Sequence, residues 1–270
     1  MELLNDQAIR SAMQNDALAR LSEIEILPCV DSTNRYALEK KLSSESTSSY
    51  SNTGYVCLAE EQTVGRGRQG NHWVSPYASN IYLSLLWRFP TSFSISNLSL
   101  AVGVSIAKAM QRYGLEAVKL KWPNDVIYSG RKLAGILVET TNESKGNIRA
   151  VMGIGLNVSM PANQDKLIDQ PWIDIQTITG QIPQRNQLVG WLLNELLLML
   201  PDFQAQGFSV FRNIWETLDG LQGYDVTVQT PHDIIKGKAV GIDPSGCLLV
   251  QCGSITHHFQ SGEVHVRRMI

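Results

Sequence analysis

The residues best suited to chemistry lie in a glycine–arginine stretch, Gln62-Thr63-Val64-Gly65-Arg66-Gly67-Arg68-Gln69-Gly70-Asn71-His72-Trp73. Glycine admits positive φ and lets a backbone approach a ligand closely. Arginine presents a planar fork of donors that matches carboxylate and phosphate oxygens. Together they describe a mobile loop able to wrap a small anion. Gly65, Gly67 and Gly70 match G-x-G-x-x-G, but a dinucleotide fold needs a helix to open at the last glycine. Here Pro76 and a strand-like run follow. A Walker phosphate loop would need a Lys-Ser/Thr pair, which this stretch lacks. For the stretch alone, a solvated surface loop is the competing reading.

Further reactive groupings flank it. In Lys119-Leu120-Lys121-Trp122-Pro123-Asn124-Asp125-Val126-Ile127-Tyr128, Pro123 interrupts a strand-like run and displays Lys121, Asn124 and Asp125 together. A cation, an amide and a carboxylate at one break suit phosphate and magnesium chemistry. An ordinary turn, with Asn and Asp serving the backbone, is the alternative. Ser129-Gly130 then turns the chain, and Arg131 to Glu139 returns as a second strand with Lys132 near the turn. Asp31-Ser32-Thr33-Asn34 offers N-cap residues before the helix-prone Tyr36–Lys40. Amide hydrogens and small hydroxyls at a helix start can also bind a polar ligand. Asn157 lies near the end of a buried strand, Ala150–Val158, whose Gly153 and Gly155 mark places of close approach.

Positioning these groups requires a sheet with helices on it. Strands are expected at Ile24–Leu27, Tyr55–Ala59 and Asn80–Trp87, besides those above. Helices are expected within residues 1–20, and at Leu98–Tyr113, Gln187–Phe203 and Phe208–Leu218. The serine-rich residues 43–52 read as a surface loop. Leu218-Asp219-Gly220-Leu221-Gln222-Gly223 is a natural boundary, after which the pattern is all-β. Short strands at Asp225–Val228, Lys238–Ile242, Cys247–Val250 and Ile255–Phe259 suggest a small barrel.

Composition narrows the function. A formal net charge of -2 argues against a general nucleic-acid binder, so the loop arginines are a local feature. Cys29, Cys57, Cys247 and Cys252 have no CxxC spacing and read as reduced thiols. The N-terminus has no signal-peptide pattern. The most apolar run, Trp191–Leu200, is interrupted by Asn194 and Glu195 and stops at Pro201, as a core helix would. A soluble, cytoplasmic protein is expected.

Taken in order along the chain, these segments resemble the biotin–protein ligases, which attach biotin to a lysine of carboxylase carrier domains. The resemblance rests on Asp31–Asn34, Gln62–Trp73, Lys121–Asp125, Arg131–Glu139, Gly153–Val158, Gly241–Asp243 and Ser261-Gly262-Glu263-Val264. It implies an α+β catalytic domain over residues 1–220, with a mixed, mostly antiparallel sheet and packed helices of the class II synthetase/biotin ligase type. It implies an SH3-like β-barrel over residues 221–270. Few residues precede the first strand, so a ligase-only member without the family's winged-helix repressor is expected. The expected partners are then a biotin carboxyl carrier protein, biotin and ATP with magnesium, and neither DNA nor a membrane. Both a monomer and a homodimer are compatible with the family.

Carried over residue by residue, the resemblance places biotin against Ser32, Thr33, Asn34, Gln62 and Gly135. Gly65, Arg66, Gly67 and Arg68 would cover its carboxylate, and Lys132 would lie near the acyl–phosphate oxygens. Arg66, Lys121, Asp125 and Lys132 form the implied catalytic set. Arg68, Trp73, Lys121, Asn124 and Asn157 would contact ATP, with Trp73 stacked on adenine. Asp125 would partner magnesium or the incoming lysine. Gln69, Asn71 and His72 stand where the family commonly has basic residues, a departure that touches lid affinity more than chemistry. The nearest rival is a lipoate or octanoate ligase of the same superfamily, which a long apolar tunnel would betray. A rival of another class is a non-catalytic biotin sensor, against which Lys121, Asp125 and Lys132 argue.

Overall fold

Runs of β-branched and aromatic residues form the strands, as their propensities suggest. The computed structural model describes residues 2–40, 53–143, 146–162, 168–262 and 264–269. The serine-rich stretch 43–52 and Glu263 of the Ser261–Val264 segment lie outside the described residues. Strand β1 (Leu21–Leu27) runs parallel to β2 (Gly54–Ala59). Strands β3 (Ile81–Pro90), β4 (Val118–Lys121), β5 (Asp125–Tyr128), β6 (Arg131–Glu143) and β7 (Asn147–Leu156) complete a seven-stranded sheet ordered β1-β2-β3-β7-β6-β5-β4. Every other neighbouring pair is antiparallel, so the sheet is mixed and mostly antiparallel.

Local chemistry sets the hairpins that carry the reactive residues. Lys121 pairs with Asp125, so Trp122-Pro123-Asn124 is the turn between β4 and β5, and its Trp122–Pro123 peptide is cis. Ser129 and Gly130, with φ of 48° and 76°, make the β5–β6 turn in the left-handed region that such tight hairpins favour. Strand alternation then sorts β6 and β7 by face. Ala134, Ile136, Met152, Ile154 and Leu156 enter the main core, whereas Val151 joins Ala37, Tyr55, Cys57 and Leu86 in a smaller cluster on the other side.

The helices follow the same division. The helical stretch expected within residues 1–20 consists of α1 (Asp6–Ser11) and α2 (Asn15–Leu18). The chain breaks between them because the Gln14 backbone N–H donates to Asn194 Oδ1 on the later helix α6. α3 (Thr33–Glu39) lies against β2, β3 and β7, over the smaller cluster. α4 (Leu98–Arg112) packs on β4, β5 and β6. After the short α5 (Ile175–Thr179), α6 (Arg185–Gln206) and α7 (Ser209–Leu218) pack against α4. α6 passes through Pro201 instead of ending near it. Pro201 deprives one carbonyl of its partner. Leu192, Leu193, Leu196, Leu197, Leu200 and Phe203 are all fully buried, each worth roughly 1.5–3 kcal/mol, and they hold the helix through the defect. Among the described residues no helix is long and apolar enough to cross a membrane.

Strands β8 (Asp225–Gln229), β9 (Ile234–Ile242), β10 (Leu248–Cys252), β11 (Ile255–Phe259) and β12 (His265–Arg268) form a five-stranded antiparallel sheet ordered β11-β10-β9-β8-β12. β12 has no counterpart among the sequence expectations. This sheet is seated on the larger unit: Trp122 Nε1 donates to the Gly246 carbonyl at 3.0 Å, and Asn97 Nδ2 to the Ser245 carbonyl at 2.8 Å. Val226, Val228, Ala239, Leu248 and Val250 join the main core. All four cysteines are free.

Candidate active site

A cavity of about 1170 Å³ opens across the sheet and the front of the C-terminal strands. One end is polar and mostly uncharged. Ser32 occupies the N-cap position of α3, yet its side chain makes no capping bond. The Thr33 backbone N–H and hydroxyl both donate to Gln62 Oε1, at 2.9 and 3.1 Å. Gln62 Nε2 donates in turn to Ser75 Oγ at 3.0 Å. The Ser84 hydroxyl lies 2.8 Å from Thr33 Oγ1 and 2.6 Å from Asn34 Oδ1. Asn34 Nδ2 donates to the Leu137 carbonyl and to Glu139 Oε2. The side chains expected to cap a helix therefore build a buried polar array, uncharged apart from the Glu139 carboxylate that Asn34 reaches. Gly153 leaves the space that Asn34 fills; a Cβ there would overlap the Asn34 amide.

The middle is aromatic. The glycine–arginine stretch folds back on itself: the Trp73 N–H donates to the Gly65 carbonyl at 2.9 Å, and the Gly67 N–H to the Asn71 carbonyl at 2.7 Å. This narrow hairpin sets the Trp73 indole on the sheet over Gly155, where any Cβ would overlap the ring. The buried Trp73 Nε1 has no hydrogen-bond partner among the described residues. Trp73 is thus seated on the sheet between the two ends of the cavity, with Lys132 Nζ 5.3 Å from a ring centroid.

The other end is cationic. Lys132 Nζ lies 2.7 Å from Asp125 Oδ1, and Lys121 Nζ lies 4.0 Å from Oδ2. Arg68 reaches across to Asn124 Oδ1 at 3.3 Å and the Gly262 carbonyl at 3.4 Å, joining the loop to the C-terminal unit. Burial pulls the Lys121 ammonium below its ordinary pKa; Lys132 and Arg267 push it the same way, and Asp125 opposes them. Burial also pulls the Arg68 guanidinium down, against the attraction of Asp125. Asp125 is the carboxylate that Lys121 and Lys132 face, and Asp169 and Asp219 also line the cavity.

The structure brings Ser32, Thr33, Asn34 and Gln62 together at one end and Arg68, Lys121, Asn124, Asp125 and Lys132 at the other. Arg66 also lines the cavity, where its Nη2 lies 3.2 Å from Glu139 Oε1. Asn157 borders the cavity, but its Nδ2 donates to the carbonyls of Lys132 and Ile173, both at 3.3 Å. It therefore braces the Lys132 backbone. Asp125 has a lysine facing each of its oxygens. Among the described residues no three His, Cys, Asp or Glu side chains are grouped to hold a metal. Sequence reasoning missed Ser84, Glu139 and Arg267. Glu139 carried a usable signal, because alternation along β6 puts Gly135, Leu137 and Glu139 on one face.

This geometry suits an elongated molecule with a neutral polar head, an apolar stem and an anionic end. Comparisons with known proteins agree with it. Residues 26–157 match the Biotin/lipoate A/B protein ligase family, and residues 223–267 match the Biotin protein ligase C terminal domain. The chain is 34% identical to the bifunctional ligase/repressor BirA of Escherichia coli, over 99% of this chain and 79% of that protein. It is 30% identical to a biotin–[acetyl-CoA-carboxylase] ligase of Paracoccus denitrificans, over 84% of this chain and 93% of that one. Among solved structures, biotin protein ligase from Aquifex aeolicus in complex with biotin and ATP superposes with a TM-score of 0.77 at 28% identity. That match covers 92% of this chain and 100% of the other.

Proposed function

The chain belongs to the biotin protein ligases of the biotin/lipoate A/B protein ligase family, and on that premise we propose that it joins biotin to a carrier-domain lysine through biotinyl-5'-AMP. The observation that carries this reading is the polarity of one continuous cavity, neutral at Gln62 and cationic at Lys132. A cyclic urea is neutral and takes neutral donors and acceptors, which Ser32, Thr33, Asn34 and Gln62 supply. An apolar valeryl stem fits beside Trp73, with Gly135 beneath. The biotin carboxylate then lies near Lys132, next to the α-phosphate of ATP.

In the first step a carboxylate oxygen attacks the α-phosphorus, and the bond to pyrophosphate breaks. Two anions must meet, so Arg68, Lys121 and Lys132 offset their repulsion and the charge building at phosphorus. Asp125 holds Lys132 in place and faces the route by which a carrier lysine would enter. In the second step the lysine amine attacks the acyl carbon, AMP leaves and a proton is released. A carboxylate alone is a poor acyl donor because its leaving group would be oxide; AMP removes that obstacle. Magnesium would arrive with ATP, with Asp125 the side chain that could partner it, and would supply positive charge to offset that of the phosphates. Arg66 reaches the anions after leaving Glu139, and with Arg68 it closes the loop over the anhydride and excludes water. Asn124 and Asn157 line the nucleotide side.

We read residues 1–220 as the catalytic domain and residues 221–270 as an SH3-like barrel that contributes Arg267 to the nucleotide side. The reading calls on neither DNA nor a membrane, and it expects a cytoplasmic protein. Labelled biotin, magnesium–ATP and a biotin carboxyl carrier domain test it. Label should appear on the wild-type carrier and not on one whose target lysine is replaced by arginine. Equal labelling of both carriers would contradict specific ligation.

A further inference from the structure

Arg185 lies on α6, away from the cavity, and its side chain is 0% exposed. Burying a cation is costly unless its geometry is used fully. This guanidinium spans the two ends of the glycine–arginine loop. Nη1 is 2.7 Å from Glu60 Oε2, immediately after β2, where the loop begins. Nε and Nη2 both donate to the Asn80 carbonyl, at 3.2 and 2.8 Å, immediately before β3, where the loop ends. Nη1 also donates to the Glu2 carbonyl at 2.9 Å, and Glu60 Oε1 accepts from the Leu4 backbone N–H at 2.6 Å. Asn80 Oδ1 accepts from the Val158 N–H at 2.8 Å, next to Asn157.

We propose that Arg185 is a positioning residue for the ligase reaction, fixing the base of the loop so that Gln62 and Arg68 arrive at opposite ends of one substrate. The inference rests on the ligase reading above. The loop is pinned within itself, as by the Trp73 N–H to the Gly65 carbonyl, and to Val30 through the Thr63 N–H, but Gly65, Gly67 and Gly70 leave its backbone freedom that fixed ends limit. A buried ion pair is weak evidence for stability by itself, because apolar side chains often replace one without loss. What an apolar residue cannot do is hold a carboxylate at one strand end and a carbonyl at the other.

Arg185→Lys tests this, because a single ammonium keeps a cation beside Glu60 but cannot fork over both loop ends. The variant should fold, with a melting temperature within about 5 °C of wild type. Its KM for biotin should rise about tenfold, and free biotinyl-5'-AMP released per pyrophosphate formed should rise by a similar factor, as mispositioning predicts. If Arg185→Lys does not fold, Glu60→Gln is measured in its place and should shift both quantities in the same direction. A folded variant with wild-type KM and wild-type release overturns the positioning role. Wild type run alongside separates the two claims: without biotin-dependent pyrophosphate formation in wild type, the ligase reading itself falls.

Discussion

Two polar clusters stand at opposite ends of the seven-stranded sheet and treat charge in opposite ways. At the β1–β2 end, the Glu25 carboxylate accepts from the Tyr36 and Tyr55 hydroxyls, each at 2.6 Å, and from Lys40 at 2.5 Å. Burial alone would raise the Glu25 pKa, but the bonds from Lys40, Tyr36 and Tyr55 outweigh it and hold the carboxyl down at about 2. At the β4–β6 end, Asp125 faces Lys121 and Lys132, with Arg68 and Arg267 close by. The first cluster is closed, its charge answered by its own neighbours. The second is open, with cation left over. A surplus of partly buried positive charge costs stability, and a bound anion would repay it. Satisfied and unsatisfied charge thus distinguish a structural cluster from a functional one where residue types alone do not.

The comparison breaks most sharply at Lys132. Lys132→Met should lower biotin-dependent ATP–pyrophosphate exchange by about 100-fold or more, the usual loss when one donor to a developing charge is removed. A loss under about threefold would place that stabilisation elsewhere. The same exchange, followed against pH, sharpens the picture at Lys121. Its pKa lies below the ordinary 10.5 of lysine, so its charge, and with it the rate, is lost as pH rises through that lowered value. Lys121→Arg stays charged, and its alkaline limb should move to higher pH. Coincident profiles would show that another group titrates.

The closed cluster should give the smallest effect, and in stability alone. Glu25 is depressed in the folded state, so its contribution is fully present above the unfolded value near 4.5 and is lost as pH falls toward about 2. Glu25→Gln should lower the melting temperature by roughly 2–8 °C at neutral pH. The gap from wild type should close on acidification through that window, with exchange at neutral pH unchanged. A constant gap would mean that the hydrogen bonds matter without the charge.

Much of this was legible in the sequence, for physical reasons that differ by element. The β5–β6 hairpin could be read because Ser129-Gly130 supplies the positive φ its turn needs. The Lys121–Asp125 display could be read because Pro123 must interrupt a strand. Gly153 and Gly155 correctly signalled close approach, though not that Asn34 and Trp73 would fill the space. Hidden features depended on partners far along the chain. Arg66 meets Glu139 only because β6 runs beneath the loop, and Arg68 meets Gly262 only after the C-terminal sheet has docked. Ser32 holds the N-cap position of α3 as local propensity suggested, but without a side-chain capping bond, and the Thr33 N–H is taken by Gln62 from outside the helix.

The central claim is that the open cluster activates biotin. ATP–pyrophosphate exchange by the purified protein, with magnesium and with biotin, lipoate, octanoate or no acid, tests it most directly. Exchange with biotin alone is expected. Exchange with lipoate or octanoate but not biotin would assign the protein to the sister activity, and biotin binding without exchange would make the cavity a sensor instead of an active site.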